Sequence, residues 1–309
     1  MSASLLRSTG PTQASESRTS CSRTQRRGRF ARRASLLPRG RRRRPAYRRR
    51  SPGQTGLRGL PRQSAVTPPT LTEVSTDFGQ TLAELDTALL ARRIETRGLP
   101  SSAEVLEAAV PSAWLAYNEA VTAGISGHPW KLLMTTLLRR AGMAHSDDII
   151  RDLVDFLWDQ QPISNLWRRP VPGMIELVRE LRRAGVPVAV LSNSEGRLAE
   201  LADELDWLDD FVAIADSGRL GMEKPGRAIF EWTAERLGAP LTAVVHVGDS
   251  VAADVVGALA AGMSAVWFGV TDEQARVRFP REYEELRLAA ATDAPSLAAA
   301  LRRLGLHWA

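Results

Sequence analysis

Cysteine is almost absent from this chain. Cys21 stands alone, so no intrachain disulfide can form, and a reducing compartment such as the cytoplasm is expected. Long apolar runs are missing as well, none approaching the roughly 18 residues of a membrane span, so no membrane partner is expected. Lysine is nearly missing too: Lys131 and Lys224 stand against 39 arginines. Acidic residues are scarce only at one end. Residues 1–70 hold 18 Arg and the single acid Glu16, a balance of +17, whereas the remainder carries 23 basic and 34 acidic residues, a balance of −11. The formal net charge of +6 therefore averages a basic tail with an acidic body.

The tail, residues 1–68, has few aromatics and no hydrophobic periodicity, so it cannot bury enough surface to offset its ordering entropy. Its runs Arg41 to Arg44 and Arg48 to Arg50 suit docking to nucleic acid or another polyanion. No apolar stretch follows Arg26-Arg27, which excludes a twin-arginine export signal. The tail reads as a disordered arm or as an over-extended gene start, since out-of-frame translation of GC-rich sequence yields Arg, Pro, Ser and Ala. A start near Val66 leaves every motif below intact, and nucleic acid is not an expected partner except through the tail.

What the body does contain is one chemically loaded segment, Val244-Val245-His246-Val247-Gly248-Asp249-Ser250-Val251-Ala252-Ala253-Asp254. The valines predict a buried parallel strand, and Gly248 a tight turn at its end. A small-residue helix follows, so Asp249 and Asp254 face the carboxyl end of a sheet, where open α/β folds bind ligands. Two carboxylates this close call for a cation. Mg²⁺ fits, since it takes a few carboxylate oxygens and keeps waters for a phosphate. His246, mid-strand among valines, reads as a core imidazole bonded to a neighbour.

Further strand-like runs are Val188 to Leu191, ending in Ser192-Asn193-Ser194; Phe211 to Ala215, followed by Glu223-Lys224-Pro225; Ala265 to Phe268; and Leu71 to Thr76, less apolar than the others and ending in Asp77-Phe78-Gly79-Gln80-Thr81. Strands alternating with helices predict an α/β fold, a doubly wound parallel Rossmann-like sheet. Between Asp77 and Ser192 lie 114 residues, far more than a crossover helix needs. Their interior is helical. Ser101-x-x-Glu104 predicts a capping box opening a helix through Trp114 and Tyr117. A second helix runs from Pro129 to Arg140, and a third starts at Ser146 with Ile149, Ile150, Leu153, Val154, Phe156 and Leu157 on one broad face. Thr271-x-x-Gln274 predicts another capping box, and a last helix follows Asp293. The boundaries expected are a tail over 1–68, an α/β core over 69–84 and 166–309, and an α-helical insertion over 85–165.

An Asp after the first strand, a Ser ending the second, one Lys, and an acidic pair after a later strand, in that order, resemble the haloacid dehalogenase-like (HAD) hydrolase superfamily. Its motifs read DxDxT, Ser/Thr, Lys, and an acidic pair such as GDSxxxD. The resemblance spans about Leu71 to the C-terminus and identifies the insertion with the helical cap of many such enzymes. It implies a Mg²⁺-dependent hydrolase of a small phosphorylated metabolite. Asp77 is then the nucleophile forming an aspartyl intermediate, and Thr81 orients its loop at the substrate. Ser192 and the Asn193 amide hold phosphoryl oxygens, and Lys224 bridges Asp77 and a phosphoryl oxygen. The metal site takes Asp77, the Gly79 carbonyl, Asp249 and Asp254, the last holding the metal's water or Lys224. A chain that writes nearly every cation as Arg keeps a lysine here, and a compact ammonium is a different tool from a planar guanidinium. In the cap, His128-Pro129-Trp130-Lys131 is a candidate specificity segment.

Gly79 departs from the pattern. Phosphatases of the superfamily carry a second Asp there as general acid and base, worth ~10²–10⁴-fold in rate. Three other readings follow from that glycine: a haloacid dehalogenase, opposed by the retained Asp249 and Asp254; a phosphonatase, for which Lys131 is the only cap lysine available for a Schiff base; and a non-catalytic HAD-like binding module, opposed by the intact Asp77 and Lys224.

Overall fold

The structure, a computed structural model, describes residues 70–122 and 129–309; the arginine-rich tail and His128 lie outside the described residues. The strands are β1 (Glu73–Thr76), β2 (Ala83–Leu85), β3 (Trp167–Pro170), β4 (Val188–Ser192), β5 (Ala213–Asp216), β6 (Val244–Gly248), β7 (Ser264–Phe268) and β8 (Leu288–Ala291). Six of them form a parallel sheet in the order β5-β4-β1-β6-β7-β8, and β2 and β3 form a separate antiparallel pair.

Alternation along each strand sends side chains to both faces. Val188, Val190, Val245 and Val247 pack into one core with Met174, Leu177, Val178 and Leu181 of the helix Met174–Arg183. Ala189, Leu191, Val244 and Ala265 pack into another with Ile229 and Phe230 of the helix Arg227–Leu237. Both faces are covered, as the doubly wound reading requires.

The polar composition of β1 has a physical reason. This strand is central, and Ser75 is fully buried because its hydroxyl pairs with His246 Nδ1 at 2.9 Å, directly across the β1–β6 register. A buried hydroxyl with a partner costs little, so β1 tolerates what its sequence makes look unfavourable.

The insertion holds four helices among the described residues: α1 (Thr87–Glu95), α2 (Ala103–Thr122), α3 (Pro129–Arg140) and α4 (Asp147–Gln160). Leu90, Ile94, Leu106, Met134, Leu137, Leu138, Ile150, Leu153 and Leu157 give it an apolar core of its own. The ribbon β2–β3 joins it to the sheet, and Arg169 of β3 pairs there with Glu84 (2.8 Å) and with Glu107 of α2 (2.7 Å).

Three details differ from the sequence expectations. The cap of α2 falls at Ser102, whose hydroxyl accepts from the Val105 amide at 3.4 Å, one residue later than the Ser101 spacing predicts. Ser146 precedes α4 as expected, yet its side chain makes no capping bond. β8, Leu-Ala-Ala-Ala, escaped the sequence reading because alanine prefers helices; its pairing with β7 overrides that preference. The capping box at Thr271 and Gln274 is present. No helix among the described residues is long and apolar enough to cross a membrane.

Candidate active site

Asp77 follows β1, Ser192 ends β4, and Asp249 follows β6. These strands are neighbours, with β1 in the middle, so the three side chains meet at the carboxyl end of the sheet where strand order reverses. Lys224 arrives from the loop beyond β5, and Asn193 pins its backbone. The Asn193 side-chain amide donates to the Lys224 carbonyl at 3.0 Å and its Oδ1 accepts from the Lys224 N–H at 2.9 Å.

So held, the Lys224 ammonium donates to Asp77 Oδ1 (2.8 Å), the Leu191 carbonyl (2.8 Å) and Asp254 Oδ1 (2.6 Å). That uses all three of its protons. Asp254 is equally engaged: its Oδ1 also meets His246 Nε2 at 3.0 Å, and its Oδ2 accepts from the Ser250 amide at 2.9 Å. With Nε2 against a carboxylate and Nδ1 against the Ser75 hydroxyl, the partners assign His246 as the neutral Nε2–H tautomer. A chain of bonds thus runs from Ser75 in the core through His246, Asp254 and Lys224 to Asp77. Gly248 makes room for it, since a Cβ there would stand 2.3 Å from Asp254 Cγ. Asp254 itself sits on a π-helical run, Val251–Val256, a form found mostly as single turns at functional sites.

The electrostatics follow from this crowding. Burial pushes the Asp249 carboxyl well above the ordinary range, and the Asp254 and Asp77 charges push it further. Burial also raises Asp77, with Lys224 pulling against it. Asp254 goes the other way: burial works to raise it, but Lys224 and His246 together hold it below the usual range. Burial works to lower Lys224, and the flanking Asp254 and Asp77 leave it raised. Burial lowers His246, in keeping with its neutral tautomer. Oxygens of Asp77, Asp249 and Asp254 lie within 4.8 Å of one another, close enough to share a cation.

Above the cluster opens a cavity of about 450 Å³. Its floor is Asp77, Gly79, Ser192, Asn193, Lys224, Asp249 and Asp254, and its roof is aromatic: Trp114 and Tyr117 of α2, Trp130 of α3, Trp158 of α4, and Trp167 of β3. Trp130 stands 5.3 Å from Trp158 and 6.4 Å from Trp167, ring centroid to centroid. Burial raises the Tyr117 hydroxyl to about 12, with Asp249, Asp254 and Asp77 adding to it. Asn165 and Glu195 line one side, bonded at 2.6 Å.

Of the residues singled out from sequence, Asp77, Gly79, Ser192, Asn193, Lys224, Asp249 and Asp254 all reach this cavity. Thr81 does not. It is fully buried outside the lining, and its hydroxyl has no partner among the described residues, so a substrate contact is unsupported. Lys131 is also outside: its ammonium pairs with Asp155 at 2.5 Å on the half-exposed face of α3 and α4, which removes the support for a Schiff-base lysine. Trp130, from the proposed specificity segment, lies in the roof. Trp158, Trp167, Asn165 and Glu195 were missed. One signal was available, since four of the eight tryptophans lie between positions 114 and 167.

Gly79 is not a left-handed residue. Its constraint is steric: a Cβ there would stand 3.1 Å from Trp167 Cδ1 and 3.3 Å from Nε1. The indole crowds the first atom of any side chain at position 79 and must give by a few tenths of an ångström to admit it.

A family model for haloacid dehalogenase-like hydrolases matches residues 70–262. The chain is 29% identical over 174 residues to a haloacid dehalogenase-like hydrolase domain-containing protein 3 of Xenopus laevis, covering 54% of this chain and 70% of that one. It is 29% identical over 100 residues to a pyrimidine 5'-nucleotidase of Escherichia coli (strain K12), spanning 32% of this chain and 44% of the relative. Among solved structures, a HAD hydrolase of Bacillus subtilis determined with bound magnesium superposes with a TM-score of 0.54 at 17% identity, over 75% of this chain and 99% of that one.

Proposed function

Because the chain belongs to the haloacid dehalogenase-like hydrolase family, we propose that it is a Mg²⁺-dependent phosphatase that cleaves a small phosphate monoester through an aspartyl intermediate on Asp77. The observation that carries this reading is the buried Lys224 ammonium held between Asp77 and Asp254, with Asp249 alongside.

The donor set fits a hard divalent cation. Asp77 and Asp249 are both raised by burial and by neighbouring carboxylates, and a shared cation relieves that repulsion. We assign Asp77, Asp249 and the Gly79 carbonyl to hold it. Asp254, with both oxygens engaged, acts through Lys224 and the Ser250 amide. When bound, Mg²⁺ neutralises phosphoryl oxygens and makes phosphorus more open to attack.

Asp77 attacks phosphorus with the oxygen that Lys224 does not hold, while Lys224 keeps the carboxylate aligned. Ser192 donates to a phosphoryl oxygen. Asn193 acts one step back, fixing the Lys224 backbone. His246 and Ser75 hold Asp254 from below. The aromatic roof excludes water and bounds the leaving group. No protein carboxylate stands at position 79 to protonate that group.

The test is hydrolysis of a phosphate-ester panel with and without Mg²⁺ by wild-type protein and Asp77→Asn. Turnover that needs both Mg²⁺ and Asp77 is expected. Chloride release from 2-chloropropionate without metal, in place of phosphate release, would transfer the reading to a dehalogenase, which Gly79 alone favours.

A further inference from the structure

The cavity pairs two features that no assignment of the catalytic groups requires. Its roof carries five aromatic rings, and one of them, Trp167, crowds the Cβ of any residue that replaces Gly79. Each constrains the leaving group independently.

The Trp167 edge nearest Gly79 carries Cδ1 and Nε1. An indole N–H donates a hydrogen bond but does not give up its proton at ordinary pH. Glu195 lines the cavity too, but its carboxylate is engaged by the Asn165 amide at 2.6 Å. With no acid at position 79, a group stable as an anion departs most readily. A phenol-type oxygen, with a pKa near ~10, meets that condition far better than an alkanol, which is about as weak an acid as water.

The roof adds a shape. Trp130 stands 6.4 Å from Trp167 and 5.3 Å from Trp158, both tilted 60°, and Trp114 and Tyr117 form a separate edge-to-face pair at 5.3 Å in the same lining. The two groups present ring faces and edges to one occupant below. No Arg lines the cavity among the described residues, and its cation, Lys224, is spent on the catalytic carboxylates. A second phosphate finds no cationic partner among the described lining residues, whereas a flat uncharged ring stacks well on the indoles.

We infer that the substrate is an aryl phosphate monoester, a flat aromatic ring whose own oxygen carries the phosphoryl group and whose ring lies against Trp167, Trp130 and Trp158. The inference rests on the phosphatase reading of Asp77. As the Asp77 oxygen bonds to phosphorus, the P–O(aryl) bond breaks and its electron pair leaves on the phenolate, which takes its proton from solvent. Water then cleaves the aspartyl phosphate, returning Asp77 and releasing phosphate.

Four substrates with Mg²⁺ and wild-type protein separate ring from leaving group: phenyl phosphate has both features, benzyl phosphate the ring alone, acetyl phosphate the acidic leaving group alone, and ethyl phosphate neither. Phenyl is expected to exceed benzyl in kcat/KM by at least ~10²-fold, the lower bound for a missing acid, and to have a lower KM than acetyl phosphate. Trp130→Leu should weaken the binding of naphthyl phosphate, raising its KM about tenfold relative to acetyl phosphate. Benzyl turnover equal to phenyl, or a phenyl KM no lower than that for acetyl phosphate, overturns this inference and leaves the phosphatase standing. Four inert substrates overturn both.

Discussion

Gly79→Asp places a carboxyl where this chain has none, and the structure sets how far that can succeed. The new Cβ would stand 3.1 Å from Trp167 Cδ1, so the indole must give way by a few tenths of an ångström before the side chain fits. That displacement costs about 1–3 kcal/mol of overpacking and offsets most of the benefit of the acid, so turnover of alkyl phosphates should stay within about threefold of wild type. Trp167→Ala removes the obstacle. In that background the same Gly79→Asp change should raise alkyl phosphate turnover by ~10²-fold or more, a coupling of about 2.7 kcal/mol between the two positions. Phenyl phosphate should gain little in either background. The assay is a four-variant cycle of kcat/KM on ethyl and phenyl phosphate, with urea unfolding to certify each fold. A full gain from Gly79→Asp alone would show that Trp167 is no obstacle. A folded, Mg²⁺-binding double variant with no alkyl gain would sink the missing-acid argument.

Asp249 carries the next prediction. Its carboxyl is raised in the folded protein, so the folded state retains a proton that the unfolded chain releases, and metal-free stability falls as pH rises above the ordinary carboxylate range. Urea midpoints in EDTA should therefore show Asp249→Asn gaining on wild type from pH 4 to pH 8, while Mg²⁺ stabilises wild type only; a gap independent of pH would refute this. Lys224→Met keeps the volume of the stem but leaves Asp77 and Asp254 without their cation. At neutral pH it should cost about 3–5 kcal/mol by urea unfolding, and Lys224→Arg should fail to rescue it because a planar fork does not fit three converging acceptors. A chain starting at Val66 should keep the melting temperature and hydrolytic rate of the full chain, since every strand of the sheet lies beyond it; a lower melting temperature would show the removed residues to be structural.

Legibility in the sequence tracked locality. β6 was plain because Val244, Val245 and Val247 announce burial and Gly248 announces the turn. β1 looked doubtful because its polar Ser75 answers to His246, far along the chain, and no window around residue 75 contains that partner. β2 and β3 were missed since each is short and neither is a strand without the other. The order of Asp77, Ser192, Lys224 and Asp249 was readable, as each follows an apolar run. The resemblance left Asp254 either to the metal's water or to Lys224. Spacing alone makes Asp249 and Asp254 equals, and the fold gives Asp254 to Lys224, His246 and the Ser250 amide; the last two partners could not be read. Nor does anything near Gly79 reveal that Trp167 stands over it.

The ribbon of β2 and β3 has a mechanical consequence. Both chain crossings between sheet and helices are hydrogen-bonded to one another, so the helices hang on a single strap rather than on two independent cords. A strap bends about one axis, and Trp167 is woven into it as the partner of Leu85. Leu85 and Trp167 close the strap at its helix end, and the same Trp167 indole reaches Gly79 just past the carboxyl end of β1. The strap and the cover over position 79 are thus one piece of chain, and a turn of the helices on that strap would carry the cover with it.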